Sequence, residues 1–197
     1  GGGNGAATLK NDFVELYNPG DSAVPLNGWS IQYASAGGVF TASSASTPLT
    51  GEIPAKGSYL VQLAAGTGGS VALPTPDATG TIAAGGSSGT FALVNSTTNI
   101  VCATTVCAAD PTVVDLVGYG SAAFAGAAAA PTTSATTSAS RTDHAHTADN
   151  AADFTAGAPT PTNAADETIP ESAPPVDAGP LRISEIQGTG ATTPVAD

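Results

Sequence analysis

The amino-acid sequence predicts an all-β protein built as a sandwich of two sheets, and three observations carry that prediction. Short apolar segments with strand propensity recur along the chain. Clusters of Gly, Ser and Pro separate these segments and supply turns. Helical periodicity is missing, because the alanine run at 127–130 is too short and has no apolar stripe. Short strands joined by turns are typical of a β-sandwich.

The elements follow in chain order from alternation and turn chemistry. Residues 12–17 have strand propensity and end at 18–21 (Asn-Pro-Gly-Asp), where Pro presets φ and Gly allows a positive φ. Residues 24–26 contain a proline and therefore suit a sheet edge. The Asn-Gly pair at 27–28 predicts a tight turn, and residues 29–33 then alternate large apolar with polar side chains. Further strands are predicted at 58–63, 90–95, 113–119 and 181–187.

The predicted core is thin, because much of the apolar content is alanine and the chain has only one Trp, four Tyr and five Phe. The length of 197 residues fits one ordinary domain with extra segments. The expected core side chains are Phe13, Leu16, Tyr17, Trp29, Ile31, Tyr33, Tyr59, Leu60, Val61, Leu63, Phe91, Leu93, Val94, Val113, Val114, Leu116, Val117 and Tyr119.

The charge balance is strongly acidic, with four basic residues against sixteen acidic ones and a formal net charge of −12. Contacts from Lys and Arg to phosphate supply most nucleic-acid affinity, and Lys10, Lys56, Arg141 and Arg182 form no basic stripe. The sequence therefore argues against direct nucleic-acid binding, whereas an acidic surface favours solubility and divalent cations. No apolar run approaches the ~20 residues of a membrane-spanning helix.

The two cysteines, Cys102 and Cys107, lie five positions apart. This spacing fits neither a zinc site, which needs further Cys or His ligands, nor the Cys-x-x-Cys redox motif. A local disulfide that closes a loop fits the pattern, and it implies an oxidising, extracellular compartment. The alternative is a pair of unpaired small core residues.

Composition changes along the second half of the chain and predicts three segments. Residues 131–140 are low-complexity Thr, Ser and Ala, and 163–180 are acidic with four prolines, which predicts a semi-rigid extended linker. A fresh strand follows at its end. We therefore expect a β-sandwich over 1–162, a linker over 163–180, and a terminal strand segment over 181–197.

Several motifs give the chain a resemblance to a known family. Residues 11–19 (Asn-Asp-Phe-Val-Glu-Leu-Tyr-Asn-Pro), followed by 26–33 (Leu-Asn-Gly-Trp-Ser-Ile-Gln-Tyr), look like the opening of a lamin tail domain. Residues 116–120 (Leu-Val-Gly-Tyr-Gly) and the stretch 141–161 resemble its closing motifs. The resemblance covers roughly residues 1–162 and implies an immunoglobulin-like β-sandwich, in agreement with the strand pattern.

The same resemblance carries expectations about origin. In bacteria, such domains often precede secreted nucleases of the endonuclease/exonuclease/phosphatase type. Residues 181–195 resemble the start of the nucleic-acid-binding barrel of those proteins, but the segment is far too short for five strands. The resemblance thus implies a secreted chain from a nuclease-like parent, with no catalytic domain and no catalytic or cofactor-binding residues. The start at Gly1 and the lack of Met indicate processing or a fragment.

One family strand, of the type Ile-Ser-Glu-Val, is missing before the glycine run, and its closest match is 183–186 at the other end. A sandwich that lacks an edge strand leaves backbone groups unpaired and apolar surface open. We expect the segment containing Leu181, Ile183, Glu185 and Ile186 to fill that slot, with Leu181 and Ile183 on one strand face. Because a Pro-rich linker resists doubling back, we expect donation to a neighbouring copy.

The densest polar cluster contains Asp143, His144, His146, Asp149 and Asp153. In an extended chain the two histidines share one face and could reach one metal ion. The carboxylates are oxygen ligands suited to Ca²⁺ or another divalent cation, although no twelve-residue Ca²⁺ loop is present. The alternative is that these Asp side chains form turns by bonding the backbone.

Two other patterns are weaker. Residues 85–89 match Gly-x-Ser-x-Gly, but that elbow needs a strand before it and a helix after it, and the flanks do not predict them. Trp29 could stack on a sugar, yet a Trp in an alternating strand is more often part of the core.

Two functions therefore remain. The first is a non-catalytic, extracellular structural module that associates head-to-tail with itself into a filament by donating strand 181–187. The alternative is an accessory domain of a secreted nuclease that binds substrate or anchors the enzyme.

Overall fold

Two stacked β-sheets form the body of the protein, as the sequence predicts. The computed structural model describes residues 5–122, 126–165 and 180–188. The strands are β1 (Asn11–Tyr17), β2 (Val24–Pro25), β3 (Ser30–Ser35), β4 (Val39–Phe40), β5 (Ser46–Pro48), β6 (Glu52–Ile53), β7 (Ser58–Ala65), β8 (Ala78–Thr79), β9 (Gly89–Val94), β10 (Cys102–Ala103), β11 (Val113–Tyr119), β12 (Ser138–Arg141), β13 (Phe154–Gly157) and β14 (Arg182–Gln187). The described helices are 3-10 turns at Cys107–Ala109 and Thr142–His144 and the four-residue α1 (Asn150–Asp153).

The two main sheets contain six and four strands. The larger sheet has the order β13-β12-β14-β1-β7-β8, and the smaller has the order β11-β9-β3-β5. Neighbours in both sheets are antiparallel, except for β7 and β8. Two short ribbons, β4 with β10 and β2 with β6, complete the described sheet structure.

The main core lies between the two sheets and confirms the alternation that the sequence predicts. Val14 and Leu16 of β1, Ile31 of β3 and Val117 of β11 are fully buried in this layer. A second apolar cluster, which includes Phe40 and Cys107, covers the other face of the smaller sheet. Strand β9 is consequently buried at every position, because both of its faces are covered.

The strands predicted at 12–17, 29–33, 58–63, 90–95 and 113–119 are all present, within one or two residues of their predicted ends. The turn at 27–28 is also confirmed: Gly28 has φ +89°, and the amide of Trp29 donates to the carbonyl of Leu26. A Cβ would disfavour that left-handed backbone, which explains the glycine.

The sequence pattern missed the helix α1 and seven strands, which are β4, β5, β6, β8, β10, β12 and β13. Strand β12 arises from the end of the low-complexity stretch and pairs with β13. Helix α1 is a single turn that is capped by the Asp149 carboxylate, which accepts from the amide of Ala151. A single capped turn has no periodic apolar stripe, so periodicity does not detect it.

The predicted linker falls largely on residues 166–179, which lie outside the described residues, as do 189–197. The described residues that flank the linker both contact the larger sheet. On one side, the amide of Thr162 donates to Glu15 and the side chain of Asn163 donates to the carbonyl of Thr75. On the other side, β14 is a strand of that sheet.

Candidate functional site: the slot that holds the C-terminal strand

Strand β14 lies inside the larger sheet, between β1 and β12. It is antiparallel to both neighbours, with Val14 opposite Ile186 in β1 and Ala139 opposite Ile186 in β12. This corrects the expectation that the segment fills a vacant edge. An interior strand satisfies backbone groups on both of its sides, so its removal would separate β12 and β13 from the rest of the sheet.

A β-bulge at Ser184 sets which side chains of β14 face the core. Glu15 is paired with Glu185 and Leu16 with Ile183, so Ser184 is an extra residue on β14. Leu181, Ile183 and Ile186 all pack into the main core. Strict alternation would have placed Ile186 on the opposite face, and the bulge therefore recovers a third apolar contact.

On the core side, two charged side chains hold the backbone of Ile183. The Asp115 Oδ2 atom accepts from the Ile183 amide at 2.7 Å, and the Arg141 Nε atom donates to the Ile183 carbonyl at 2.7 Å. Asp115 belongs to β11 in the smaller sheet, whereas Arg141 ends β12. The pair thus ties β14 to both sheets at the point where the bulge interrupts the ladder.

Arg141 is the centre of a buried charge network. Its guanidinium donates to Asp115 and to Asp153 at 2.9 Å each, and to the carbonyl of Ala145 at 2.9 Å. The guanidinium carbon also lies 4.5 Å from the centre of the Phe154 ring. Because this side chain is fully buried, these contacts replace the water that the charge would otherwise require.

The hydrogen bonds of Asp153 favour its ionised form. Burial by itself raises the pKa of Asp153, but the hydroxyl and amide of Thr147 and the charges of Arg141 and His146 outweigh it and lower that pKa below 3.8. Asp153 therefore binds Arg141 as a carboxylate.

On the outer side of the sheet, two glutamates face each other across β1 and β14. Glu15 and Glu185 are directly paired in the register, and only 8% and 3% of their surfaces are exposed. The Glu15 carboxyl accepts from the hydroxyls of Ser58 and Ser184 and from the amide of Thr162. The Glu185 carboxyl accepts from the amide of Thr160.

Burial changes the ionisation of both glutamates. It raises the pKa of Glu15 from 4.5 to about 7, and the charge of Glu185 adds to that rise, while hydrogen bonds from Thr162, Ser184 and Ser58 act against it. Burial also raises the pKa of Glu185 above 4.5, against donors that include the amide of Thr160. At neutral pH the pair holds a proton for part of the time.

The sequence singled out Asp143, His144, His146, Asp149 and Asp153 as candidate metal ligands, and the structure gives them separate roles. Asp143 and His144 have positive φ, so the chain turns at this point and does not have the extended conformation that would place the two histidines on one face. His144 stacks on the Tyr17 ring with centroids 3.5 Å apart, and His146 Nδ1 lies 4.0 Å from Asp115. Asp149 caps α1, and Asp153 binds Arg141.

These five side chains do not converge on one point. Within 5–122, 126–165 and 180–188, no group of three or more His, Cys, Asp or Glu is placed to hold a metal ion. The turn-forming alternative describes Asp149, whose carboxylate bonds the backbone of α1.

An open groove of about 590 Å³ lies beside the start of β14. Trp29 is half-buried and packs against the main core while it also lines this groove, so the core interpretation of Trp29 is the better description. The groove is lined in part by Asn18, Asp21, Val24, Trp29, Val114 and Leu181.

The predicted disulfide is confirmed. Cys102 and Cys107 are bonded, with Cα atoms 5.5 Å apart, and the buried Cys107 belongs to the cluster outside the smaller sheet. The loop it closes follows β10, which pairs with β4.

Sequence reasoning missed the residues that hold β14: Arg141, Asp115 and Glu15. The signal that was available is a charged residue within a segment that otherwise reads as a buried strand, as in Val-Val-Asp-Leu-Val around Asp115. Such a residue must be paired or protonated if the strand is buried. The sequence does not reveal which partner it finds.

Fold and site together define an immunoglobulin-like β-sandwich whose larger sheet is completed by a strand from the far end of the chain. The family model of the lamin tail domain matches residues 1–121, more than half of the chain, and the protein belongs to that family. Comparison with curated proteins and with solved structures gave no match. Among the described residues, no helix has the length and apolar character needed to cross a membrane.

Proposed function

We propose that this lamin tail domain is a non-catalytic, extracellular assembly module that joins copies of itself by exchanging strand β14. The observation that carries the proposal is the interior position of β14, between β1 and β12. In this structure the strand and the slot belong to one chain. A second copy of the same strand would make the same contacts in the same slot, which is the condition for domain swapping.

The contacts of the slot support recognition of one particular strand. Main-chain hydrogen bonds to β1 and β12 supply affinity for any extended segment, as in other cases of strand addition. Specificity comes from the apolar side chains of Leu181, Ile183 and Ile186, which pack into the core. It also comes from the hydrogen bond that the Ile183 amide donates to Asp115. In a segment without a bulge at the same place, the side chain at the position of Ile186 would face away from the core.

The sequence between the sandwich and β14 supports exchange between copies. Residues 163–180 carry four prolines and, if extended at ~3.1 Å per residue, would reach roughly 50 Å. A span of this length could carry β14 to a neighbouring copy as well as back to its own slot. Head-to-tail exchange that does not close into a ring propagates as a filament.

A cross-link across β1 and β14 tests the proposal. Tyr17 and Arg182 are directly opposite each other, at a spacing that suits a disulfide. The variant Tyr17→Cys/Arg182→Cys is oxidised at several concentrations and separated on a denaturing, non-reducing gel. Strand exchange predicts a ladder of covalent multimers, and each single-Cys variant gives a dimer at most. A double variant that yields only internally cross-linked monomer at every concentration overturns the proposal.

A different observation favours the second candidate, an accessory binding or anchoring domain of a secreted nuclease. The groove beside Trp29 also presents the exposed side chain of Asp21, and an indole beside a polar group is a combination suited to stacking and hydrogen bonding with a sugar ring. The test is titration with neutral oligosaccharides, with Trp29 emission as the readout. Saturable quenching that is lost in Asp21→Ala supports this candidate, and an unchanged emission removes it.

A further inference from the structure

The paired glutamates Glu15 and Glu185 lie where the exchanged strand meets its slot. One carboxyl belongs to the slot and the other to the strand, and the two residues are opposite each other in the register. Both are nearly excluded from solvent. When β14 leaves the slot, both carboxyls return to water, where a glutamic acid has its ordinary pKa.

The groups around the pair do not supply a compensating cation. Strand β7 presents Ser58, β14 presents Ser184, and β12 presents Ser138 and Ser140. Residues 158–165 cross the outer face and provide only backbone amides, those of Thr160 and Thr162.

The charged groups nearby have other partners. Asp77 lies further along the same face and accepts from the amides of Leu60 and Ala164. Arg182 is the cation on β14, and its guanidinium donates to the carbonyl of His144. The neighbouring charge that acts on Glu15 is therefore that of another acidic residue, Glu185.

We propose that the slot takes up β14 together with a proton shared by Glu15 and Glu185, so that opening of the strand is promoted as the pH rises through neutrality. Two ionised carboxylates opposite each other in a buried pair repel and cannot both be solvated. The docked state therefore binds a proton that the open state releases. By linkage, docking is favoured below the ordinary glutamate pKa and weakens as the pH rises towards and above 7.

This inference rests on the proposed exchange for its consequence in assembly. A strand in its own slot and a strand in a neighbour's slot make the same contacts, so the proton does not choose between them. The proton instead sets how often β14 leaves its slot, and exchange must pass through that open state. Raising the pH is therefore expected to speed exchange without changing the final distribution between the two arrangements.

The other titratable groups near β14 predict a different pH response. His144 is stacked on Tyr17, and burial followed by the charge of Arg182 lowers its pKa below 6.5. His146 lies near Asp115 on the core side. Because Tyr17 is two positions from Glu15 on β1, His144 lies on the same outer face as the paired glutamates, and variants of the glutamates separate their contribution from that of His144.

Hydrogen exchange of the full chain, followed by mass spectrometry of peptides that cover 182–187, measures opening directly. The amide rates are corrected for their intrinsic pH dependence between pH 5.5 and 8.5. We expect the opening constant of β14 to rise at least tenfold over this range, because each unit of pKa shift corresponds to a factor of ten. Glu15→Gln should reduce the rise to less than threefold, and Glu185→Gln should reduce it by a smaller factor, because burial is the larger cause of the raised pKa of Glu15 and the charge of Glu185 only adds to it. Glu52→Gln, which changes an exposed glutamate on β6, is the matched control and should keep the full rise.

A rise that persists unchanged in both glutamine variants overturns the inference. Carbon-13 NMR of the glutamate carboxyls in the unaltered chain gives a second test that needs no variant. A titration of Glu15 above pH 6 is expected, and a midpoint below pH 5 overturns the inference. The Tyr17→Cys/Arg182→Cys ladder tests exchange separately. A missing ladder together with pH-dependent opening would remove the assembly function and leave the proton-linked slot standing.

Discussion

On the core side of β14, the carboxylates of Asp115 and Asp153 each lie 2.9 Å from the guanidinium of Arg141. On its outer side, Glu15 and Glu185 face each other and their nearest donors are hydroxyls and amides. The two faces bury similar groups within one strand's width. The core side neutralises its acidic groups with the permanent cation of Arg141, whereas the outer side neutralises the glutamate pair with a proton.

This difference gives the two faces opposite responses to pH. Removing the charge from Asp153 by acid would weaken the Arg141 network, because the pKa of Asp153 is lowered in the folded protein. Removing the proton from Glu15 by base would weaken the outer face, because the pKa of Glu15 is raised. Strand β14 is therefore most stable in its slot at a pH where Asp153 is ionised and Glu15 is protonated.

The largest expected loss of stability comes from removing Arg141, the buried cation on the core side of β14. Arg141→Ala leaves Asp115 and Asp153 buried without their partner, and we expect it to destabilise the fold by about 3–5 kcal/mol. Urea denaturation measures the change in the free energy of unfolding. Lys56→Ala is the control, since its partner Asp21 is 84% exposed, and should cost about 1 kcal/mol or less. Similar losses in the two variants would contradict the role of Arg141.

The next largest loss of stability is expected when an apolar side chain of β14 is truncated. Ile183 is fully buried in the main core, and Ile183→Ala should cost about 2–5 kcal/mol through lost burial and a residual cavity. Val101→Ala removes a side chain that is 69% exposed and should change stability by about 0.5 kcal/mol or less. Equal midpoints for Ile183→Ala and the unaltered chain would show that β14 adds little to the folded state.

A change of pH sharpens the contrast on the outer face. Glu15 has a folded pKa of about 7 against an unfolded value of 4.5, so its stabilising contribution is complete below pH 4.5 and is lost as the pH rises to about 7. We expect Glu15→Gln to be more stable than the unaltered chain at pH 8.5 by about 2–3 kcal/mol. At pH 4.5 the two should be nearly equal. Thermal unfolding at both pH values checks this, and a destabilised variant at pH 8.5 would contradict it.

The smallest effect concerns a feature remote from β14. Cys102→Ser/Cys107→Ser opens a short loop, and we expect a loss of about 2 kcal/mol. Thiol titration of the denatured, unreduced chain should find no free thiol, and two free thiols would refute the disulfide.

Much of the sandwich was predictable because local patterns report local geometry. Residues 29–33 alternate, and residues 27–28 carry the Asn-Gly turn, so strand β3 and its entry could be read from the sequence. The spacing of the two cysteines favoured the local disulfide over a pair of unpaired core residues. Strand β12 could not be predicted in the same way, because Ser138 to Arg141 form a strand only through pairing with β13 and β14.

The candidate site shows the same limit more sharply. Residues 181–187 were predicted as a strand that fills a gap, but their interior position and the bulge at Ser184 depend on which strands meet. The bulge turns Ile186 inwards and sets Glu185 against Glu15. Neither contact is encoded in the spacing of residues 183–186.

The sequence by itself determined the all-β class, the turn chemistry, the local disulfide and the strand character of 181–187, because each depends on residues close together in the chain. Tertiary structure decided that Arg141 would gather Asp115 and Asp153, and that two glutamates separated by most of the chain would share one buried site. The physical reason is that the ionisation of a buried group is set by burial and by neighbouring charges. Those neighbours are brought together only when the sheets pack.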